Sequence, residues 1–338
     1  MSTMEQDIEE LARNAGVDLV GFTDRGRLAD APPSGDLTHT LPNAESAIGL
    51  AVALDREAVR RYMAKEDLWA LNLDHRNSYV SLKYAAIAIQ EYLGARGYDV
   101  AVPFANFDYR ADTTPDVMAP PLSHKYVCTA AGIGWIGWSG NLLTKEYGAL
   151  VTLGSVVTNA ALTPSPMVTE DWCSDCNFCV ATCPTYYMPK KEADLIQIGE
   201  KPQSYAHRRS ALRCTVSCGG ANGIRKPHSN WSTWSHRELT EMPGAAATDD
   251  EFVERCEEIL NEEPHNRRLE YMMHVSDHRA EDWAGYDRMV DELVLTCSMC
   301  QMVCVPGVEN RREHFHLLVN SGRIEKGDPR LVEPHGGM

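Results

Sequence analysis

Residues 172–185 read WCSDCNFCVATCPT, which sets Cys173, Cys176, Cys179 and Cys183 at C-x2-C-x2-C-x3-C with Pro184 directly after. This run constrains the chain more than anything else in it. Three thiolates two residues apart wrap one [4Fe–4S] cube, and the fourth points away toward a neighbouring cluster, as in two-cluster ferredoxins. Zinc favours two separated C-x2-C pairs instead. A second run, TCSMCQMVCVPG (296–307), supplies Cys297, Cys300 and Cys304 as C-x2-C-x3-C; it lacks the leading cysteine, and its proline is displaced by one, to Pro306. Two cubes need eight ligands, and the runs give four and three. Four cysteines remain: Cys128, Cys214, Cys218 and Cys256. Cys128 sits on an apolar helix face and reads as a buried free thiol, and Cys256 lies on a charged helix and reads as structural. Cys214 and Cys218 lie between the runs, and Cys214 is preferred as the eighth ligand.

Eleven cysteines in 338 residues raise the question of compartment. The N-terminus, MSTMEQDIEELARNAG, is acidic and amphipathic, with no basic start, apolar core or twin-arginine pair, so it reads as a first helix and not an export signal. No stretch approaches the ~20 apolar residues that cross a bilayer. A cytoplasmic setting follows, where reduced thiols suit metal ligation better than disulfides. The formal net charge of −16 argues against general affinity for nucleic acid. The basic stretches are short, at His207–Arg209 and Asn310–Arg312, and read as solvated faces.

Along the chain, apolar periodicity predicts a helix over 5–15, and VDLVGF (17–22) a strand. AIGLAVAL (47–54) reads as a buried strand, and 81–94 as a helix with a glycine stop. A strand is expected at 98–103, a helix at 125–132 and a strand at 149–158. The boundary between two units is placed at 160–172, where ALTPSPMV precedes the first cysteine, giving units 1–165 and 166–338. A polar insertion covers about 190–290, and there is no repeat beyond the two cysteine runs.

A full ferredoxin run followed by a truncated one resembles the epoxyqueuosine reductases and the corrinoid-dependent reductive dehalogenases. AAGIGWIGWSGNLLTKEYGALVTLGSVVTN (130–159) is similar to their glycine-tryptophan block, the turn after it and the following strand, and Asp112–Thr113 looks like their Asp-Thr element. The resemblance spans about 80–305. It implies an α+β chain: a nitroreductase-like α/β core that binds a base-off cobalamin, joined to a ferredoxin-like part with two [4Fe–4S] clusters. By analogy with ferredoxin crossing, Cys173, Cys176, Cys179 and Cys304 hold one cluster, and Cys183, Cys214, Cys297 and Cys300 the other. Contacts to the corrinoid fall on Gly132, Gly134, Trp135, Gly137, Trp138, Ser139, Gly140, Asn141, Leu143 and Thr144. Glycines there would let backbone approach a flat macrocycle; a tight turn with no ligand is the simpler alternative. The proton donor falls on Asp112, with Tyr109 and Asp116 behind it.

Departures touch both groups. Trp138 stands where the epoxyqueuosine reductases carry a basic residue, Gly148-Ala-Leu-Val-Thr replaces the arginine-bearing strand of the dehalogenases, and PDVMAPPLSH separates Asp112 from the glycine block. The sequence therefore favours a corrinoid- and iron–sulfur-dependent reductase of a small organic substrate, halogenated compounds included. Its electrons come from an external low-potential donor such as ferredoxin or flavodoxin. Trp231 and Trp234 line the substrate cleft or belong to the core. Two alternatives stand beside this: epoxyqueuosine reduction in tRNA, and an electron-transfer protein without corrinoid. Substrate, donor and oligomeric state are not legible in the sequence.

Overall fold

The computed structural model describes residues 2–104, 110, 112–113, 117–225, 229–237, 246–262 and 282–334. Helix α1 (Met4–Asn14) begins at a capping box. The Thr3 hydroxyl accepts from the Gln6 N–H at 3.2 Å, and the Gln6 side chain accepts from the Thr3 N–H at 2.9 Å, pairing two donors that a helix start leaves open. Strands β1 (Leu19–Asp24), β2 (Ser46–Ala53), β3 (Val100–Ala101) and β6 (Val151–Thr158) form one sheet in the order β1-β2-β6-β3. Every neighbouring pair is antiparallel, and Ile48 faces Phe22 on one side and Val156 on the other.

Strand β2 is buried over nearly its whole length, as a continuous apolar run requires when both sheet faces are covered. One face carries α1 and α3 (Trp69–Gly94); Leu82, Ala85, Ala86, Ile89 and Leu93 pack there with Ile8, Phe22, Leu50 and Val156. The other face carries α4 (His124–Ala130) at close range. A Cβ at Gly21 would run into the Ala131 carbonyl, and one at Gly49 would stand 3.2 Å from the Cys128 Cα. Bare backbone at these two positions lets the helix lie down on the sheet.

Two predicted elements change length. The strand expected over 98–103 shrinks to Val100–Ala101, which pairs with the end of β6 alone. Helix α3 starts well before residue 81, because its polar first half is held from outside: Arg76 donates to the Leu293 carbonyl at 3.0 Å and Lys83 pairs with Asp287 at 2.6 Å. Both partners belong to or adjoin α8 (Trp283–Glu292). Strands β7 (Ala193–Ile198) and β8 (Lys201–Ala206) make a hairpin, and Ile196 and Ile198 fold back onto Val127 and Ala130 of α4.

The stretches on either side of residues 160–172 share one core. Leu54, Val59, Tyr62, Met63, Leu71 and Leu150 pack with Met299, Met302, Val303 and Leu318. These come from α2 (Arg56–Met63), α9 (Met299–Met302) and α10 (Val308–Asn320) among others. Each such side chain contributes about 1.5–3 kcal/mol on burial, so the packing holds the second cysteine run against the first half of the chain. Among the described residues no helix is long and apolar enough to cross a membrane.

Candidate metal centre and adjoining recess

Both C-x2-C turns use the same backbone. Asn177, after Cys176, and Ser298, after Cys297, are left-handed (φ 58° and 54°) and start the short helices α5 (Phe178–Ala181) and α9. An isolated left-handed residue costs about 1–2 kcal/mol outside glycine, and here it turns the chain so that both cysteines of each pair face inward. The second run is stitched to the first half of the chain. The Tyr62 hydroxyl donates to the Cys297 carbonyl at 2.8 Å, Ala149 N–H to the Cys304 carbonyl at 2.8 Å, and the Gln301 amide to the Ala149 and Val151 carbonyls at 3.1 Å. Gly148, left-handed at φ 60°, lets this docking happen, since a Cβ there would meet the Cys304 carbonyl.

Cys173, Cys176, Cys179 and Cys304 line one cavity, with Trp138 and Arg311 beside them. Arg311 is the clamp between the runs. Its Nε donates to the Val305 carbonyl at 2.7 Å, Nη1 to the Ser174 hydroxyl at 3.0 Å and Nη2 to the Trp172 carbonyl at 3.0 Å. Four more cysteines gather next to this set, with Cys300 near Cys179 and Cys304. Cys183, Cys214, Cys297 and Cys300 lie close enough for their charges to interact.

Helix α6 (Ala211–Cys218) brings Cys214 there. Buried Arg213 holds that helix through Asp249 at 2.6 Å and the Thr185 carbonyl at 3.3 Å. At its other end the Thr296 hydroxyl donates to the Cys218 carbonyl at 2.6 Å. Cys218 lies one turn on, exposed, with its sulfur 3.8 Å from that of Cys214.

Burial pushes these thiols upward, Cys300 and Cys304 to about 12 despite Lys125 near the one and Arg311 near the other; bound iron would supply the further charge that makes them thiolates. Backbone N–H groups already point at sulfur, from Trp138 to Cys173 at 3.5 Å and from Tyr187 to Cys183 at 3.3 Å. Among the described residues no three His, Cys, Asp or Glu side chains could hold a single metal ion. A zinc ion needs four sulfurs about 2.3 Å from one point, whereas a cube spreads its thiolates to four corners. The donor set fits iron–sulfur cubes.

The glycine block is a different matter. Gly132, Gly137 and Gly140 spend their N–H groups on turn bonds to Thr129, Asn141 and Gly137 carbonyls. A Cβ at Gly132 would strike Pro166, one at Gly134 the Leu143 carbonyl, one at Gly137 the Leu143 side chain, and one at Gly140 the Arg208 guanidinium. Trp135 and Leu143 pair with each other across strands β4 (Trp135–Ile136) and β5 (Leu142–Leu143), and Thr144 bridges to Gly148. On its Cβ side each of these glycines is packed against protein. Trp138 donates from its indole to the Pro189 carbonyl at 3.2 Å, Ser139 accepts from Arg208, and the Asn141 amide lies 4.0 Å from the Cys300 sulfur.

Arg208 and Lys125 are the residues that sequence reasoning missed, and neither carries a motif. Arg208 lies between the rings of Tyr205 (5.4 Å) and Tyr187 (5.9 Å), donates from Nη2 to the Ser139 carbonyl at 3.2 Å, and has a buried Nε–H without an acceptor. Lys125 has no hydrogen-bond or ion-pair partner among the described residues. Burial, then the nearby Arg208 charge, pull its amine down to about 7. Both residues are half-buried, and the Lys125 amine lies near Arg208, Cys214 and Cys300.

Asp112 is not buried, contrary to what its assignment as proton donor expected. It is exposed on the surface, held by Arg110 in two contacts of 2.8 and 2.6 Å. That hydrogen-bonded partner keeps its carboxyl below the usual range, the opposite of what a proton donor needs. Tyr109 and Asp116 lie outside the described residues, as does the side chain of Cys256. Trp231 and Trp234 are core and not cleft: both are buried, and the Trp234 indole donates to the Tyr62 carbonyl at 3.0 Å. Cys128 is a fully buried thiol pushed up to about 12 by burial.

No protein-family model matches the chain. Curated relatives do. One from Atelocyanobacterium thalassa is 30% identical over 181 residues, 51% of this chain and 53% of the relative. Another from Gloeobacter violaceus is 28% identical over 184 residues, 53% of this chain and 52% of the relative. Both are epoxyqueuosine reductases. The chain thus spans about half the length of the curated relatives it matches.

Among solved structures it resembles an epoxyqueuosine reductase with an epoxyqueuosine-modified tRNA stem loop (TM-score 0.38, 21% identity, 54% of this chain, 52% of that one). It also resembles a catabolic reductive dehalogenase (TM-score 0.48, 14% identity, 84% of this chain, 37% of that one). The charge-based expectation of no nucleic-acid partner is corrected by these relatives, since one was solved with a tRNA stem loop. Net charge is a sum over the surface and does not report where single cations are aimed.

Proposed function

We propose that the protein is a two-cluster iron–sulfur reductase that acts, like the relatives it matches, on epoxyqueuosine in RNA. The observation that carries the reading is the gathering of eight cysteines into two sets on either side of the Trp138–Asn141 turn. In this reading Cys173, Cys176, Cys179 and Cys304 hold one cluster, and Cys183, Cys214, Cys297 and Cys300 the other. Residues 1–165 are the nitroreductase-like unit and 166–338 the ferredoxin-like one.

Removing an epoxide oxygen as water takes two electrons and two protons. Clusters held by these two sets would relay electrons from an outside donor, and Cys300 lies near both Cys179 and Cys304, so the two sets adjoin. The N–H donors aimed at Cys173 and Cys183, and the cations near Cys214 and Cys300, would stabilise negative charge added there. The cobalamin that the family resemblance implies would supply a nucleophilic cobalt, held by residues of the Gly132–Thr144 block.

The test is anaerobic reconstitution, which should give about eight irons per chain, followed by reaction with a stem loop bearing epoxyqueuosine and mass analysis of the nucleosides. Queuosine should form. Intact, reducible clusters with no conversion of this RNA would sink the reading.

A further inference from the structure

We propose that Cys214 and Cys218 form a redox-modification site, at which a small disulfide such as oxidised glutathione links the two sulfurs and so withdraws Cys214 from the set of Cys183, Cys297 and Cys300. The first ground is position. The two residues lie one turn apart on α6, so their side chains share a face, and their sulfurs stand 3.8 Å apart. Four residues of helix advance the chain by about 6 Å, inside the ~4.4–6.8 Å between Cα atoms that a disulfide spans. Side-chain rotation then closes the gap to the ~2.05 Å of an S–S bond, and the backbone stays where it is.

The second ground is access. Cys218 is exposed, whereas every other thiol described is buried or half-buried, Cys214 included. Exchange depends on reaching the sulfur, so a reagent in solution meets Cys218 first and Cys214 is the thiol beside it. The third ground is that α6 ends against the second cysteine run. The Thr296 hydroxyl, next to Cys297, donates to the Cys218 carbonyl at 2.6 Å, and the Gly219 N–H closes onto the Thr215 carbonyl at 2.7 Å. The pair is therefore held in place beside the set that it would disarm.

The exchange balances. The Cys218 sulfur attacks one sulfur of the small disulfide, a mixed S–S bond forms, the reagent's S–S bond breaks and one glutathione leaves. The Cys214 sulfur then attacks that of Cys218, the mixed bond breaks and the second glutathione leaves. Each departing thiolate takes the proton of the attacking thiol, or one from water where Cys214 starts on iron. The protein pair loses two electrons and the small disulfide gains them. Withdrawal of a cluster ligand rests on the proposed two-cluster reading; the disulfide itself does not.

Anaerobic titration of the reconstituted protein against glutathione buffers, from reduced to oxidised, tests the site. Trypsin cuts after Arg213 and Arg225, so one peptide carries both cysteines. In oxidised buffer it should become lighter by two hydrogens and resist alkylation, while iron falls from about eight per chain toward about four. Dithiothreitol with iron and sulfide should restore both, and Cys218→Ala should keep its iron in every buffer. An unchanged peptide, a lasting glutathione adduct on Cys218, or a link from Cys218 to another cysteine overturns the pair. Equal iron loss by Cys218→Ala overturns the withdrawal, and half the iron in that variant before oxidation makes Cys218 a ligand and not a partner. A linked peptide in a chain that converts no epoxyqueuosine would remove the proposed function and leave the disulfide standing.

Discussion

Replacing Arg311 by methionine should cost the protein one cluster before it costs it the fold. Arg311 is 4% exposed, and its three donors reach Val305, next to Cys304, and Trp172 and Ser174, on either side of Cys173. Methionine keeps much of the stem and removes every donor. Two buried carbonyls then lose their partners at about 1–3 kcal/mol each, so the substitution should cost about 3–5 kcal/mol, a large share of a stability of about 5–15 kcal/mol.

Anaerobic urea titration, followed by cluster absorbance and tryptophan fluorescence together, should show the apparent midpoint falling by about 1–2 M. Iron should drop toward half its full complement, because the clamp spans the cavity of Cys173, Cys176, Cys179 and Cys304. Arg312→Met is the control: its pairing with Glu309 is on the surface, worth about 0–1 kcal/mol. An Arg311→Met protein with full iron and an unchanged midpoint would refute the reasoning, since the clamp would then be carrying no load between the runs.

Cys214→Ala should lose one cluster and keep the other, while Cys218→Ala keeps both; iron analysis with the reverse result would make Cys218 the ligand. His75 is enclosed, its Nδ1 without a hydrogen-bond partner, and burial lowers it to about 4. Between pH 4 and 6.5 the unfolded chain therefore binds a proton that the native one refuses, and stability falls on acidification by up to about 1.4 kcal/mol per pH unit from this group. His75→Leu should flatten that stretch of the urea-midpoint profile, and an unaltered slope would show that the group does not titrate as its burial implies. Asp112→Asn should keep most turnover, because the carboxylate is an ionised surface group paired with Arg110; lost turnover with intact clusters would restore it as the acid.

Local chemistry was legible before any fold was known. The cysteine spacing is a property of a few consecutive residues, and the left-handed turns at Asn177 and Ser298 realise it in the same way in both runs. The periodic helices and the unbroken apolar run of β2 were equally readable, because a face that must be buried writes its period into the sequence. The glycine block was legible as a tight turn, but what it turns around was not. Its close approaches are to Pro166, Leu143 and Arg208, partners that only the folded chain supplies.

The environment of Asp112 was hidden for a related reason: a carboxyl is raised by burial and lowered by a cation, and sequence shows neither. The short basic stretches His207–Arg209 and Asn310–Arg312 read as solvated faces, yet Arg208 holds the Ser139 carbonyl and Arg311 joins the two cysteine runs. By itself, then, the sequence determined the ligand types, their order and the helices and strands that carry them. The tertiary structure alone decided which cysteines share a cavity, which glycines are filled and which cations lose their water, because desolvation and charge pairing depend on neighbours brought together across the chain.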